Sequence, residues 1–228
     1  MERWMRETSS TGRAVTPATR PFARNCIMAV LCLVAVANYI DRQIVGILLE
    51  PIKREFGVSD TAMGFLTGLR FAGFYAAAAI PLAWLSERKP RSKVLAGCVI
   101  VWCLLTGLGG LAQTFWQLAF TRVGVAVSES GGIPASHLIT SEMYEPNLQA
   151  RAIAVLSGAQ SIVMGLGFAL GGWLSQAFDW RLTFILVGVP GLLLALPLLF
   201  MKDIPRGKSD RIAEAIENMS FKETFKTL

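Results

Sequence analysis

Six apolar stretches constrain this chain more than any other feature of its sequence. They cover roughly residues 25–49, 61–85, 93–113, 115–139, 152–176 and 182–201. A helix of about 20 residues spans the roughly 30 Å hydrocarbon core of a bilayer. Only 17% of the 228 residues are charged, which is too few for the surface of a soluble domain. The sequence therefore predicts an all-α membrane protein with six transmembrane helices.

The polar segments predict the domain organisation and the orientation in the cell membrane. Residues 1–24 are an arginine-containing arm, residues 25–202 hold the six stretches, and residues 203–228 are a polar tail. Lys and Arg are concentrated in the arm, the 87–93 loop and the tail. The positive-inside rule then places both termini in the cytoplasm. The net charge of +6 fits this orientation better than it fits binding to nucleic acid.

The sequence offers little for metal, cofactor or enzymatic chemistry. The four cysteines all lie inside apolar stretches without CxxC spacing, and His137 is the only histidine. HExxH and P-loop patterns are absent from the sequence. We therefore expect neither a metal nor another cofactor, and we expect that the protein is not an enzyme.

Charged residues interrupt three of the apolar stretches. Asp41 and Arg42 lie in the first stretch, Arg70 in the second, and Arg122 with Glu129 in the fourth. A charge at the bilayer centre costs at least about 2.5–3.5 kcal/mol, so such residues usually face a cavity and carry a function. Counting along each helix places all five between the outer third and the middle of the membrane.

These five side chains predict a positive site that can take up protons. Three arginines outnumber two carboxylates, and guanidinium matches phosphate or carboxylate groups. Asp41 and Glu129 are the candidates for proton coupling, because burial and neighbouring arginines act on a carboxylate in opposite directions. The alternative is that the charges form structural ion pairs that hold the helices together.

The loop after the second stretch introduces a family resemblance. Residues 83–92 (AWLSERKPRS) resemble the motif G-x-x-x-D-R/K-x-G-R-R/K of the major facilitator superfamily, with several substitutions. In that superfamily the loop latches the cytoplasmic face through acid–base contacts with neighbouring helices. The resemblance implies this latch role for Glu87, Arg88 and Arg91.

Within that superfamily, the chain is most similar to the Spinster family. The stretches that carry this likeness are residues 38–42 (NYIDR), 51–56 (PIKREF) and 122–129 (RVGVAVSE), and the resemblance covers roughly residues 25–202. It implies proton-coupled transport of an anionic amphiphile, such as a lysophospholipid or a sphingosine-1-phosphate-like lipid. Asp41 would be the proton-sensitive acid, Arg42 and Arg122 its ion-pair network, and Glu129 a polar contact deep in the cavity. Asn38 and Tyr39 belong to the same candidate site.

The resemblance also implies a partner. The full fold has two halves of six helices with the substrate between them. The sequence matches the N-terminal half, so a C-terminal six-helix half is expected but missing here. Two alternatives stay open from the residues alone. One is an organic-anion or metabolite carrier of the same superfamily, and the other is a non-transporting membrane receptor or assembly subunit.

Overall fold

The computed structural model describes residues 21–201, without the side chains of some helical residues, Arg70 and Glu87 among them. The predicted arm and tail lie almost wholly outside this range. Within it the chain forms α1 (Pro21–Ile47), α2 (Leu49–Phe56), α3 (Asp60–Thr67), α4 (Leu69–Arg88), α5 (Arg91–Gly109), α6 (Phe115–Glu129), α7 (Gly132–Met143), α8 (Pro146–Ala177) and α9 (Trp180–Phe200). Among the described residues, three helical segments are long and apolar enough to cross a membrane, namely Phe22–Ile47, Arg91–Gly109 and Trp180–Phe200.

Two of the predicted membrane helices are divided. The stretch 61–85 is split into α3 and α4 at Gly68, where a Cβ atom would lie 2.4 Å from the carbonyl oxygen of Gly64. The stretch 115–139 is split into α6 and α7 directly after Glu129. Pro134 lies in the first turn of α7 and lacks the N–H that would bond to the carbonyl of Ser130. Each of these two stretches therefore consists of two helical segments.

Two segments between the apolar stretches are also largely helical. The 51–60 segment contains the amphipathic helix α2, which ends at Gly57 with a φ of 60°. The polar segment 141–151 contributes to α7 and α8, because Pro146 is suited to the first turn of a helix. The side-chain amide of Gln149 donates to the carbonyl oxygens of Ser141 and Tyr144, and so closes the short connection between the two helices.

Two buried apolar clusters lie toward opposite ends of the bundle. One contains residues such as Leu31, Leu95 and Leu198, from the beginnings of α1 and α5 and the end of α9. The other contains residues such as Ile44 and Leu118, from the end of α1 and the beginning of α6. Residues 38–42 of α1 lie between the two clusters in the sequence. The apolar packing on either side therefore fixes the middle of α1, where the charges are.

Glycines allow a short distance between α5 and α9. A Cβ atom on Gly188 would lie 2.6 Å from the backbone nitrogen of Gly107, so the two backbones are almost in contact. Small residues allow this kind of packing between membrane helices, because dispersion contacts there replace the hydrophobic effect.

A polar cluster fastens α2 to the start of α9. The Glu55 carboxylate accepts hydrogen bonds from the Trp180 indole and the Arg181 guanidinium. Arg181 also donates to the carbonyl oxygen of Ala112 at 2.9 Å. These bonds to Trp180 and Arg181 hold the pKa of Glu55 below its ordinary value. The cluster therefore ties α2, the α5–α6 turn and α9 together at one end of the bundle.

Candidate functional site

The centre of the site is a buried triad contributed by three helices. Asp41 of α1, Thr106 of α5 and Arg122 of α6 are each at most 2% exposed. The Arg122 Nη2 donates to Asp41 Oδ2 at 3.1 Å and to Thr106 Oγ1 at 3.0 Å. The Thr106 hydroxyl in turn donates to Asp41 Oδ1 at 2.8 Å. Both carboxylate oxygens of Asp41 are therefore bonded, and the two opposite charges compensate each other away from water.

A second ion pair lies beside the triad. Arg42 Nε donates to Glu129 Oε2 at 3.0 Å, and the Arg42 guanidinium lies 4.6 Å from the centre of the Tyr75 ring. The Glu129 side chain is fully buried, whereas the Arg42 side chain is 33% exposed. The start of α1 contacts Tyr144, just after α7, so α1 runs antiparallel to the α6–α7 segment. Side chains lean toward the start of their own helix, so Arg42 and Glu129 reach toward each other.

The structure thus divides the predicted charges into two pairs. The resemblance implied that Arg42 and Arg122 both belong to the network of Asp41. Arg122 contacts Asp41 directly, but Arg42 contacts Glu129. Asp41 and Arg42 are adjacent, so their side chains point about 100° apart on the helix and reach different partners. The predicted excess positive charge depends on Arg70, whose side chain lies outside the described residues.

The other predicted residues of the first motif lie close to this site. Asn38 is buried one turn before Asp41 on the same face of α1, and Tyr39 is half-buried. Asn38 lines a small cavity with Ser136 and His137. Its volume of about 20 Å³ is sufficient for about one water molecule. Asn38 therefore adds a polar lining on the α7 side of the site.

The predicted latch residues lie at the end of the bundle where α4 ends and α5 begins. Arg91 Nη1 donates to Glu142 Oε1 at 3.1 Å, and both side chains are buried. This is an acid–base contact between α5 and α7. The Arg88 guanidinium lies 4.1 Å from the centre of the Trp84 ring. The Glu87 side chain lies outside the described residues, and the latch role of all three residues stays a prediction.

Sequence reasoning missed Thr106, Tyr75 and Glu142. Thr106 had a usable signal, because it is a polar residue inside an apolar stretch. It lies seven residues before the predicted outer end of that stretch, and Asp41 lies eight before the end of its own. Tyr75 and Glu142 had no comparable signal, since an aromatic ring and a helix-end carboxylate are common in membrane helices.

Protonation of a carboxylate would change the charge balance of this site. When all four groups are ionised, the two carboxylates neutralise the two guanidinium groups. Protonation of Asp41 or Glu129 would leave its arginine without a negative partner, and guanidinium then prefers a carboxylate or a phosphate.

Among residues 21–201, no three His, Cys, Asp or Glu side chains are grouped so as to hold a metal ion.

A helical bundle with ion pairs buried between apolar helices defines the chain as a polytopic membrane protein with a polar centre. Comparison with known sequences gives the family. The profile of the Major Facilitator Superfamily matches residues 31–227, so the chain belongs to that superfamily. Its fold is the six-helix N-terminal half of the superfamily fold.

Individual relatives place the chain within the superfamily. It is 37% identical over 174 residues to an MFS-type efflux pump of Mycolicibacterium smegmatis, covering 76% of this chain and 40% of the pump. It is 29% identical to a probable galactarate/D-glucarate transporter of Bacillus subtilis, covering 80% of this chain and 41% of the transporter. The matched part of the chain therefore covers about two fifths of the length of these relatives.

A solved structure shows the Spinster likeness. The crystal structure of a bacterial homologue of the human lysosomal transporter Spinster, inward-facing and unoccupied, matches with a TM-score of 0.75 and 32% identity. The match covers 91% of this chain and 49% of the solved one. The chain is thus Spinster-like in sequence and in fold.

Proposed function

We propose that this chain is half of a proton-coupled secondary transporter that moves an anionic amphiphile, such as a lysophospholipid or a sphingosine-1-phosphate-like lipid. The observation that carries the proposal is the pairing of Asp41 with Arg122 beside the pairing of Arg42 with Glu129. Two carboxylates and two guanidinium groups in the middle of an apolar bundle are costly, and such groups usually mark a substrate or proton pathway.

In this proposal, the deprotonated carboxylates and the anionic headgroup compete for the same arginines. A proton on Asp41 or Glu129 releases a guanidinium, which can then bind the headgroup. Loss of the proton restores the ion pair and displaces the headgroup. The partly exposed Arg42 is the first arginine that a headgroup would reach, since Arg122 is only 2% exposed. The two carboxylates are therefore the proton-coupling residues.

The complete transporter is proposed to need a second six-helix half. The relatives are about twice the length of this chain, and substrates in this fold bind between the two halves. The proposed location is the cell membrane with both termini of this chain in the cytoplasm. Lys and Arg in the 87–93 loop and the tail support that orientation.

The test replaces Asp41 with asparagine in the full-length protein. Asn keeps the shape of Asp and can accept a hydrogen bond from Arg122, but it cannot take up a proton. We expect that Asp41→Asn abolishes the pH dependence of lysophospholipid transport into proteoliposomes. Asp60→Asn is the matched control, because the Asp60 side chain is 84% exposed and lies outside the buried pairs. A pH profile of Asp41→Asn equal to that of the wild type would remove Asp41 from proton coupling.

A second candidate is a carrier of small organic anions. The relative from Bacillus subtilis named as a probable galactarate/D-glucarate transporter supports this alternative. A dicarboxylate would use the same two arginines, so the polar site fits both substrates. Competition assays separate the two proposals. Inhibition of transport by D-glucarate but not by lysophospholipid would favour the organic-anion carrier.

A further inference from the structure

A groove between α4 and α5 lies apart from the ion-pair site. It is lined by Leu85 of α4, by Gly97 and Val101 of α5, and by Val127 and Ser128 of α6. The volume is about 510 Å³, within the roughly 300–1,000 Å³ that is usual for small-molecule sites. The groove is open along one side, and most of its lining is apolar. It therefore suits a long apolar chain.

Basic side chains are concentrated at one end of the groove. Lys89 and Lys93 both line it and both are exposed. Arg88 stacks on the exposed ring of Trp84 one turn earlier. Tryptophan is enriched at the membrane–water interface, which places this end of the groove at headgroup level. The groove thus has a positive mouth at the membrane surface and an apolar body that extends into the membrane.

We propose that this groove binds an anionic glycerophospholipid, with phosphatidylglycerol as the probe. One acyl chain lies along Gly97 and Val101, and the phosphate contacts Lys89 and Lys93. The charge pattern favours a lipid over a helix of another protein, because the positive charge is confined to one end of an otherwise apolar groove. The inference does not depend on the transport function, since none of the four paired residues Asp41, Arg42, Arg122 and Glu129 lines the groove.

Glycine 97 allows a direct test of the apolar body. A Cβ atom at Gly97 would have no atom within 4 Å, so Gly97→Leu places a side chain in the groove without a clash. The purified protein in mild detergent is incubated with phosphatidylglycerol or phosphatidylcholine, and the bound lipid is counted by native mass spectrometry. We expect that Gly97→Leu reduces phosphatidylglycerol binding at least tenfold. Gly73→Leu is the control, since Gly73 is exposed, lies outside the groove and also has open space around its Cβ position.

A lysine variant tests the basic end of the groove. Near a membrane surface each basic residue changes the affinity for anionic lipid by about fivefold. Lys93→Gln is therefore expected to weaken phosphatidylglycerol binding by about fivefold, and wild-type protein should bind phosphatidylcholine less than phosphatidylglycerol. Inorganic phosphate should not displace the bound lipid. If Gly97→Leu does not fold, Val101→Trp narrows the same groove from a position that is already 48% exposed.

Three results would overturn the inference. The first is equal phosphatidylglycerol binding by Gly97→Leu and Gly73→Leu. The second is loss of binding in Lys93→Gln with full displacement by inorganic phosphate, which would indicate a simple anion site. The third is a dimer of the wild-type protein that is lost in Gly97→Leu but not in Gly73→Leu. This result would assign the groove to a second copy of the chain. These results do not bear on transport, so the proposed function stands even if the groove does not bind lipid.

Discussion

Thr106 offers a sharp test of the buried triad, because its hydroxyl contacts both charged groups. Thr106→Val keeps the shape of the side chain and removes the donor to Asp41 and the acceptor for Arg122. Hydrogen bonds to charged groups contribute about 1.5–3 kcal/mol in soluble proteins. Polar contacts between membrane helices average only about 0.6 kcal/mol, with a maximum of about 1.7. Two lost bonds should therefore lower the free energy of unfolding by about 1–3 kcal/mol.

The measurement is chemical unfolding of the protein in mixed micelles, followed by circular dichroism. Thr106→Ser is the matched control, because it removes only a methyl group and retains the hydroxyl. We expect its stability to remain much closer to that of the wild type. If Thr106→Ser loses as much stability as Thr106→Val, the loss of the hydroxyl does not explain the effect, and the hydrogen bonds of the triad do not contribute the predicted stability.

Two further predictions concern packing and pH. Gly188→Ala should strongly destabilise the bundle, because its Cβ would lie 2.6 Å from the backbone nitrogen of Gly107. Gly107→Ala should be tolerated, since its Cβ would meet only a side-chain atom of Val189 at 3.9 Å. Thermal unfolding of the two variants should therefore differ clearly, and equal melting temperatures would refute the close approach. Glu55 has a lowered pKa in the folded state, so the stability that it contributes is present above its ordinary pKa of 4.5 and is lost as the pH falls through the lowered value. Glu55→Gln should accordingly be less stable than the wild type at neutral pH and should lose that difference in acid, as followed by pH-dependent unfolding.

The fold could largely be predicted from hydrophobic length, but its breaks could not. Blocks of apolar residues identify membrane helices because each block must satisfy its backbone inside the bilayer. The same measure is insensitive to Gly68 and Pro134, which leave the average hydropathy high. Gly68 breaks the helix by adopting an extended backbone conformation, and Pro134 lacks the N–H that a continuous helix needs. Hydrophobic length also does not identify the amphipathic helix α2, because that helix is too short and too polar to resemble a membrane-spanning segment.

The candidate site could be predicted as a set of residues but not as a set of contacts. Asp41, Arg42, Arg122 and Glu129 stand out because charge is rare in apolar stretches. Depth along the helices places them near one level, but it does not tell which arginine contacts which acid. The pairing depends on which way each residue faces around the axis of α1 and on the direction in which its long side chain extends along the helix. Neither is known until α1 and α6 are placed in space.

The adjacency of Asp41 and Arg42 has a mechanical consequence. Each residue holds a different partner on α6, yet the two share one rigid stretch of α1. A tilt or rotation of α1 against α6 must therefore strain both ion pairs at the same time. The two pairs are therefore expected to move together whenever these helices move, because a single peptide bond joins Asp41 to Arg42.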